Sequence, residues 1–519
     1  MQLSIVVHVT GTLIRLFAPA FLAPVAVAAF YREWTDAVGF VVAFLVTALV
    51  GAGMRRAGGP AGENAARLRR IEGIGIVAFT WLAIAHLAAV PYVWTGLGFI
   101  DALFEAMSGL TTTGATVFTE FTAFGRAIFF WRSLTQWLGG LGVIALFVAV
   151  LPRLAIGGRE LFFAEAAGPT DDKITPQLRQ TAIALWKVYV ALTVAEAAAL
   201  AAAGMSIFDA VCHSLTTMAA GGFSPHPLSI AGYKSATIDW IVIVFMFAAG
   251  ANFALQYRAA RGSRMAIAQD EEFRAYAGVV VVAAVALLAF LLRDGLQFGE
   301  ALRHAMFQVL TIVTTTGYAS TDFQLWSDQA KIVLFLLMFV GGCAGSAAGG
   351  PKVVRHVLMA RFTVRELKRT LHPRAVLPVK LGGRVVPEHT LRDVQVFMLF
   401  YLLTFAVGTA IVVALGADLM TGITASIACL GNIGPGLETV GPMGSFASLH
   451  PVSKIVLTLE MWIGRLEVLT VLVFFRPEAW RSARWSAATP AFRAESRRGR
   501  PRIDEYFSLS DEADQHLVN

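Results

Sequence analysis

The stretch FIDALFEAMSGLTTTGAT, residues 99–116, carries a short apolar segment into three threonines, Thr111, Thr112 and Thr113, and then Gly114. These residues offer hydroxyls and backbone carbonyls but no charge and no strong nucleophile. The pattern returns along the chain. IFDAVCHSLTTMAAGGFS (207–224) lies over it without a gap, setting Asp101 against Asp209, Ala102 against Ala210 and Gly114 against Gly222. RHAMFQVLTIVTTTGYAS (303–320) repeats the threonines and glycine as Thr314, Thr315, Thr316 and Gly317. GITASIACLGNIGPGLE (422–438) is a looser fourth copy anchored by Gly434. Recurrence at a spacing of roughly 95–120 residues marks an internal repeat, which has to be recognised before any single motif is interpreted.

Each copy has the same surroundings: an apolar span, a half-length apolar segment ending at the glycine, a polar return and a second span. The second spans also align at small-residue breaks, LGGLG (138–142), FAAGA (247–251), VGGCA (340–344) and IGRLE (463–467). Of the 519 residues, 56% are hydrophobic and only 15% charged, outside the range of a soluble globular domain. Runs long enough to cross about 30 Å of hydrocarbon recur near 16–30, 38–53, 73–93, 128–151, 181–203, 238–256, 276–292, 331–345, 394–415 and 455–475. The expected fold is therefore an all-α polytopic membrane protein of about ten transmembrane helices. Four repeated helix–pore-loop–helix units around one central ion pore, plus two leading helices, are the expected arrangement. The expected organisation is a leading pair at 1–56, pore units at 71–155, 179–262, 275–362 and 393–478, a cytoplasmic hairpin at 363–392 and a polar tail at 479–519.

The net charge of +7 could suggest nucleic acid, but the basic residues are gathered in alternate loops. Arg55, Arg56, Arg67, Arg69 and Arg70 form one group. Others are Arg153 with Arg159, Arg258 with Arg261 and Arg264, Lys352 to Arg392, and Arg476 to Arg502. The excess of basic residues in cytoplasmic loops puts both termini inside and the Leu110 segment toward the outer face, and implies no nucleic-acid partner. FLAPVAVAAF (21–30) could end a signal peptide, but its n-region lacks early positive charge, and keeping the span makes the topology even. Cys212, Cys343 and Cys429 have no paired spacing and indicate neither a disulfide framework nor a zinc site.

Irregular backbone survives at membrane depth only where it is buried in protein or lines a wet cavity, so four such segments should converge on one axis. A ring of carbonyls and neutral hydroxyls there would replace the hydration shell of a monovalent cation. A divalent ion would call for carboxylates, which the ring positions lack. One such cluster alone reads as small-residue helix packing; four in register read as a pore.

These stretches resemble the TrkH/Ktr/HKT superfamily of potassium transporters, closest to the bacterial TrkH branch. The matching residues are TTTGAT, AAGGFSPH, TTTGYASTDF, GGCAGSAAGGPKVVR, HPRAVLPVKLGGRVVPE, LGNIGPGLETVGP and IGRLEVLTVLVFF, and the likeness runs to about Trp480. The resemblance implies the pore-forming subunit of a potassium uptake system, with potassium as the transported ion and no organic cofactor in this chain. It implies a potassium filter from Thr112, Thr113 and Gly114, Ala220, Gly221 and Gly222, Thr315, Thr316 and Gly317, and Asn432, Ile433 and Gly434. Glycine in all four copies suits potassium, since some relatives with serine in the first copy favour sodium; a sodium-permeable member is the alternative within the superfamily. The resemblance further implies a bacterial inner-membrane location, a homodimer surrounded by membrane lipid, and a cytosolic nucleotide-binding regulatory subunit of the TrkA type.

The resemblance also implies a gate at GGCAGSAAGG, formed by Gly341, Gly342, Cys343, Ala344, Gly345, Ser346, Gly349 and Gly350 with Ala347 and Ala348 between them; a kinked helix is the alternative. Arg465 lies inside an apolar run, where a charge must face protein or water. It is expected beside the pore, with an ion pair to Glu460 or Glu467 as the alternative. Asp101, Glu105, Glu120, Asp209 and Asp322 could concentrate cations at the entrance or cap helices. His213 and His304 read as packing or hydrogen-bonding residues. A multi-pass enzyme using either histidine is the rival class, but an enzyme would gather its acids and bases in one cluster.

Overall fold

A computed structural model describes residues 1–59, 70–150, 174–262, 265–478 and 480. Arg67, Arg69, Arg153, Arg159 and Arg264, and the tail apart from Trp480, lie outside the described residues. Among the described residues the regular structure is helical except for a two-stranded antiparallel hairpin pairing Lys380 with Val385 and Leu381 with Arg384. Gly382 and Gly383 turn it at φ 57° and 78°, a region closed to most side chains.

Six described helices are long and apolar enough to cross a membrane: Leu3–Tyr31, Trp34–Ala57, Ile71–Trp94, Ile183–Ala202, Glu271–Arg293 and Glu388–Ala414. A seventh arises if the pair Ala236–Ala249 and Phe253–Ala260, bent by 101°, is one span. The first begins at Leu3, well before the apolar run at 16–30, because His8, Thr10, Thr12 and Arg15 are carried within the helix. Thr10 is buried and accepts from Thr80 at 3.3 Å, and the Thr12 hydroxyl bonds back to the His8 carbonyl, so these polar residues do not interrupt it.

Three of the four small-residue breaks interrupt a helix. Ala236–Ala249 stops before Gly250, and Asn252 starts the next helix by accepting from the N–H groups of Ala254 and Leu255. Asp328–Leu337 ends ahead of an irregular stretch that lasts to Lys352, where Val353–Leu371 begins. Pro451–Arg465 ends at Leu466, and Glu467 takes φ 65° before Val468–Leu472.

The first break does not form: Arg126–Val150 runs straight through Leu138 to Gly142. Its glycines serve close approach instead. A methyl group at Gly139 would overlap the carbonyl oxygen of Leu110, and one at Gly140 would stand 3.1 Å from Cα of Ala219. Glycine here lets a long helix rest on the feet of two short ones.

Candidate ion-conduction site

Four short helices, Phe99–Leu110, Ile207–Met218, Phe298–Val313 and Leu419–Leu430, each stop four residues before their glycine. Each stops in the same way. The residue two before the glycine is left-handed: Thr112 at φ 55°, Ala220 at 54°, Thr315 at 58° and Asn432 at 54°. Its N–H bonds back to Gly109, Thr217, Ile312 or Cys429, and the next N–H reaches Ser108, Thr216, Thr311 or Ala428 at 2.8–2.9 Å. This pair of bonds is the Schellman ending, which normally uses glycine at the left-handed residue. The negative ends of four helix dipoles are thereby brought up to the glycine segments, where they favour a cation.

The glycines follow at φ 82°, 75°, 82° and 103° for Gly114, Gly222, Gly317 and Gly434. Each faces a carbonyl of the next segment. A methyl group on Gly114 would overlap the oxygen of Gly221, one on Gly222 that of Thr316, and one on Gly317 that of Ile433. One on Gly434 would stand 2.7 Å from the oxygen of Thr113, which closes the circle. All four glycines also line a single cavity of about 340 Å³, together with Ser224, His226 and Met443. The four glycines and the carbonyls of Thr113, Gly221, Thr316 and Ile433 are thus brought together.

The ring is braced from behind. Glu105 accepts from the Thr116 hydroxyl at 3.0 Å and the Val117 N–H at 2.9 Å, tying the first short helix to its own return. His213 meets the Ser224 hydroxyl at 3.0 Å, His304 meets that of Ser320 at 2.9 Å, and the Thr424 hydroxyl accepts from Leu437 N–H at 2.9 Å. Both histidines therefore act as hydrogen-bonding pins.

Two of the acids expected at the entrance are neutralised: Asp101 pairs with Lys454 at 2.6 Å, and Glu105 is fully buried against Arg132 at 2.8 Å. Asp322 caps a short turn at Gln324. These three do not contribute to a ring of free carboxylates.

Residues 341–350 fold as a loop, and no helix forms between Met338 and Lys352. Its backbone is satisfied by neighbours, which is how alanines at 347 and 348 suffice. Cys343 N–H donates to Gly250 at 2.9 Å, Ala347 N–H to Ala249 at 3.2 Å and Ala344 N–H to the Glu272 carboxylate at 2.7 Å. Gly349 N–H reaches the Thr315 hydroxyl at 2.7 Å, so the loop hangs directly from the ring.

Arg465 donates to the Ala347 carbonyl at 3.1 Å and the Gly139 carbonyl at 3.4 Å. Among the described residues it has no carboxylate partner: Glu467 pairs with Arg355 at 2.5 Å, and Glu460 accepts from Ser426 at 2.8 Å. The ion-pair alternative for Arg465 does not form among the described residues: its hydrogen bonds go to carbonyls, and Glu467 pairs with Arg355.

The profile of the TrkH family, described as a cation transport protein, matches residues 60–482. The chain belongs to the TrkH family. The Trk system potassium uptake protein TrkH of Salmonella typhimurium strain LT2 is 38% identical over 490 residues, 93% of this chain and 100% of that protein. The Trk system potassium uptake protein TrkG of Escherichia coli K12 is 34% identical over 491 residues, 93% and 99% of the two chains. The crystal structure of the potassium transporter TrkH from Vibrio parahaemolyticus matches with a TM-score of 0.83 at 36% identity, covering 92% of this chain and 100% of that one. With its several long apolar helices, this TrkH-family chain is a multi-pass membrane protein, and its family and relatives are transporters.

Proposed function

We propose that this chain is the pore-forming subunit of a potassium uptake system, and that the ring around Gly114, Gly222, Gly317 and Gly434 is its filter. The observation that carries this reading is the closed circle of glycines and neighbouring carbonyls, set at the carboxyl ends of four short helices. Such a ring offers a dehydrated monovalent cation oxygen ligands without charge. The relatives' names, which refer to potassium uptake, support the choice of ion.

In this reading the chain has about ten spans in four pore units with a leading pair, divided as the sequence suggests. The loop 341–350 closes the path beneath the ring, and Arg465 sets a positive charge beside it. The protein would sit in a bacterial inner membrane with both termini cytoplasmic, as a homodimer, with a nucleotide-binding subunit of the TrkA type docking near the hairpin. Purified protein in liposomes tests the function: it should take up radioactive rubidium, with potassium competing far better than sodium. No uptake above empty liposomes, or equal competition by sodium, would refute the potassium reading.

A further inference from the structure

The four arcs of the ring are not held alike. In the first, the Thr111 and Thr113 hydroxyls bond each other at 2.8 Å and Thr111 anchors to the Met107 carbonyl at 2.7 Å. The third repeats this with Thr314 and Thr316 at 2.7 Å, anchored to Leu310. In the fourth, the Asn432 amide donates to Thr113 Oγ1 and to the Met461 carbonyl, each at 3.0 Å. The second arc reads MAAGG from Met218 to Gly222 and has no side-chain hydroxyl or amide of its own.

What holds it comes from another unit. Gln136, fully buried in the helix Arg126–Val150, donates from Nε2 to the Gly221 carbonyl at 2.7 Å and accepts at Oε1 from the Phe223 N–H at 3.1 Å. The two bonds bracket Gly222. The equivalent carbonyls of Thr113, Thr316 and Ile433 accept no side-chain hydrogen bond among the described residues. In the other second spans, the positions two before the small-residue break are Phe245, Met338 and Met461, none able to do this.

Gly221 itself is not left-handed, so its backbone does not demand glycine. Space does: a Cβ there would lie 2.5 Å from Oε1 and 2.8 Å from Nε2 of Gln136. Two successive glycines also let a peptide plane rotate at little cost. Without a clamp, the Gly221–Gly222 peptide could turn its N–H toward the ion and its carbonyl away, spoiling one quarter of the ring.

We propose that Gln136 is the positioning residue of the second arc, fixing the Gly221 carbonyl for ion selection, and that Gly221 is glycine to admit it. This rests on the filter reading. The test measures rubidium uptake by the purified full chain in liposomes, competed by potassium or sodium, alongside detergent melting temperature. Gln136→Leu should cut the preference for potassium over sodium by about tenfold, the upper range for one net hydrogen bond, together with a fall in melting temperature, since it leaves the buried Phe223 N–H and the Gly221 carbonyl unpaired. Gly221→Ala should do likewise alone, yet add nothing in the presence of Gln136→Ala, because the obstructed side chain has gone.

Gly114→Ser is the control for the filter itself. If it weakens preference while Gln136→Leu lowers only uptake or melting temperature, or changes nothing, the Gln136 proposal fails and the filter stands. If neither substitution shifts preference, the filter reading fails. Should Gln136→Leu not fold, the Gly221→Ala pair decides: additive effects of the two alanines would overturn the clamp.

Discussion

The backbone N–H of Gly349 donates to the side chain of Thr315, one of the four left-handed residues of the ring, at 2.7 Å. The loop 341–350 and the ring therefore share a hydrogen bond, and moving one perturbs the other. Thr315→Val keeps the shape and removes the acceptor, leaving a buried N–H unsatisfied at a cost of about 1–3 kcal/mol. The loop should open more readily, so rubidium uptake should rise severalfold. Uptake at the unaltered rate would mean that the bond does not hold the loop.

Removal of several residues between Gly341 and Gly350 is expected to raise flux further while selectivity stays, since the ring is built by other segments. Bi-ionic flux measurements on the deletion read both quantities. A deletion that folds and conducts no faster would detach the loop from gating.

Arg465 should act on the ion path in two ways, through its charge and through its bonds to Ala347 and Gly139. A like charge several ångströms from a cation in a wet cavity adds a barrier of roughly 1–3 kcal/mol. At about 1.4 kcal/mol per tenfold in rate, Arg465→Ala should raise uptake severalfold or more. Arg465→Lys keeps the charge but not the two-point bridge. Fast alanine with slow lysine assigns the effect to charge, equal gains assign it to the bridge, and slower uptake in both removes Arg465 from the barrier.

The glycine circle predicts a graded series. Alanine at Gly222, Gly317 or Gly114 meets both a disfavoured φ, worth roughly 1–2 kcal/mol, and an overlapping carbonyl. Alanine at Gly434 meets a disfavoured φ as well, 103°, but its carbonyl contact at 2.7 Å is the loosest of the four. Loss of potassium preference should be least for Gly434→Ala, as read by sodium competition in the same liposomes.

The buried pair Glu105 and Arg132 supplies a stability prediction. Arg132 also donates to the Ser224 carbonyl at 3.1 Å and lies over the Phe223 ring at 4.0 Å, so it fastens the first unit to the second. Arg132→Leu leaves Glu105 buried without its cation and should cost about 3–5 kcal/mol, seen as a marked fall in melting temperature. Glu105→Gln together with Arg132→Leu should recover part of it.

The repeat and its glycines were legible because a ring built from one chain has to write its segments four times, and a left-handed glycine leaves a visible mark. The left-handed residues before them were not. Thr112, Ala220 and Thr315 adopt a conformation that their side chains disfavour, so nothing in those residue types announces it; of the four, only Asn432 is of a type that enters it readily. Gln136 was equally silent: a lone amide in an apolar helix has no pattern, and its partner is a backbone carbonyl 85 residues away. LGGLG misled in the opposite direction, since glycine serves bends and close approach alike and only the packing tells which. For Arg465, the apolar setting showed that a partner was needed, but carbonyls as partners leave no trace in sequence.

Because the circle closes within one polypeptide, its four quadrants are chemically unlike: two rich in hydroxyls, one clamped by a borrowed amide, one stiffened by Asn432 and Pro435. An assembly of four identical chains would change every quadrant with each substitution. Here a single codon alters one quarter directly and reaches the next only through the carbonyl its glycine faces, so on the filter reading ion preference in such a protein can be adjusted in small steps.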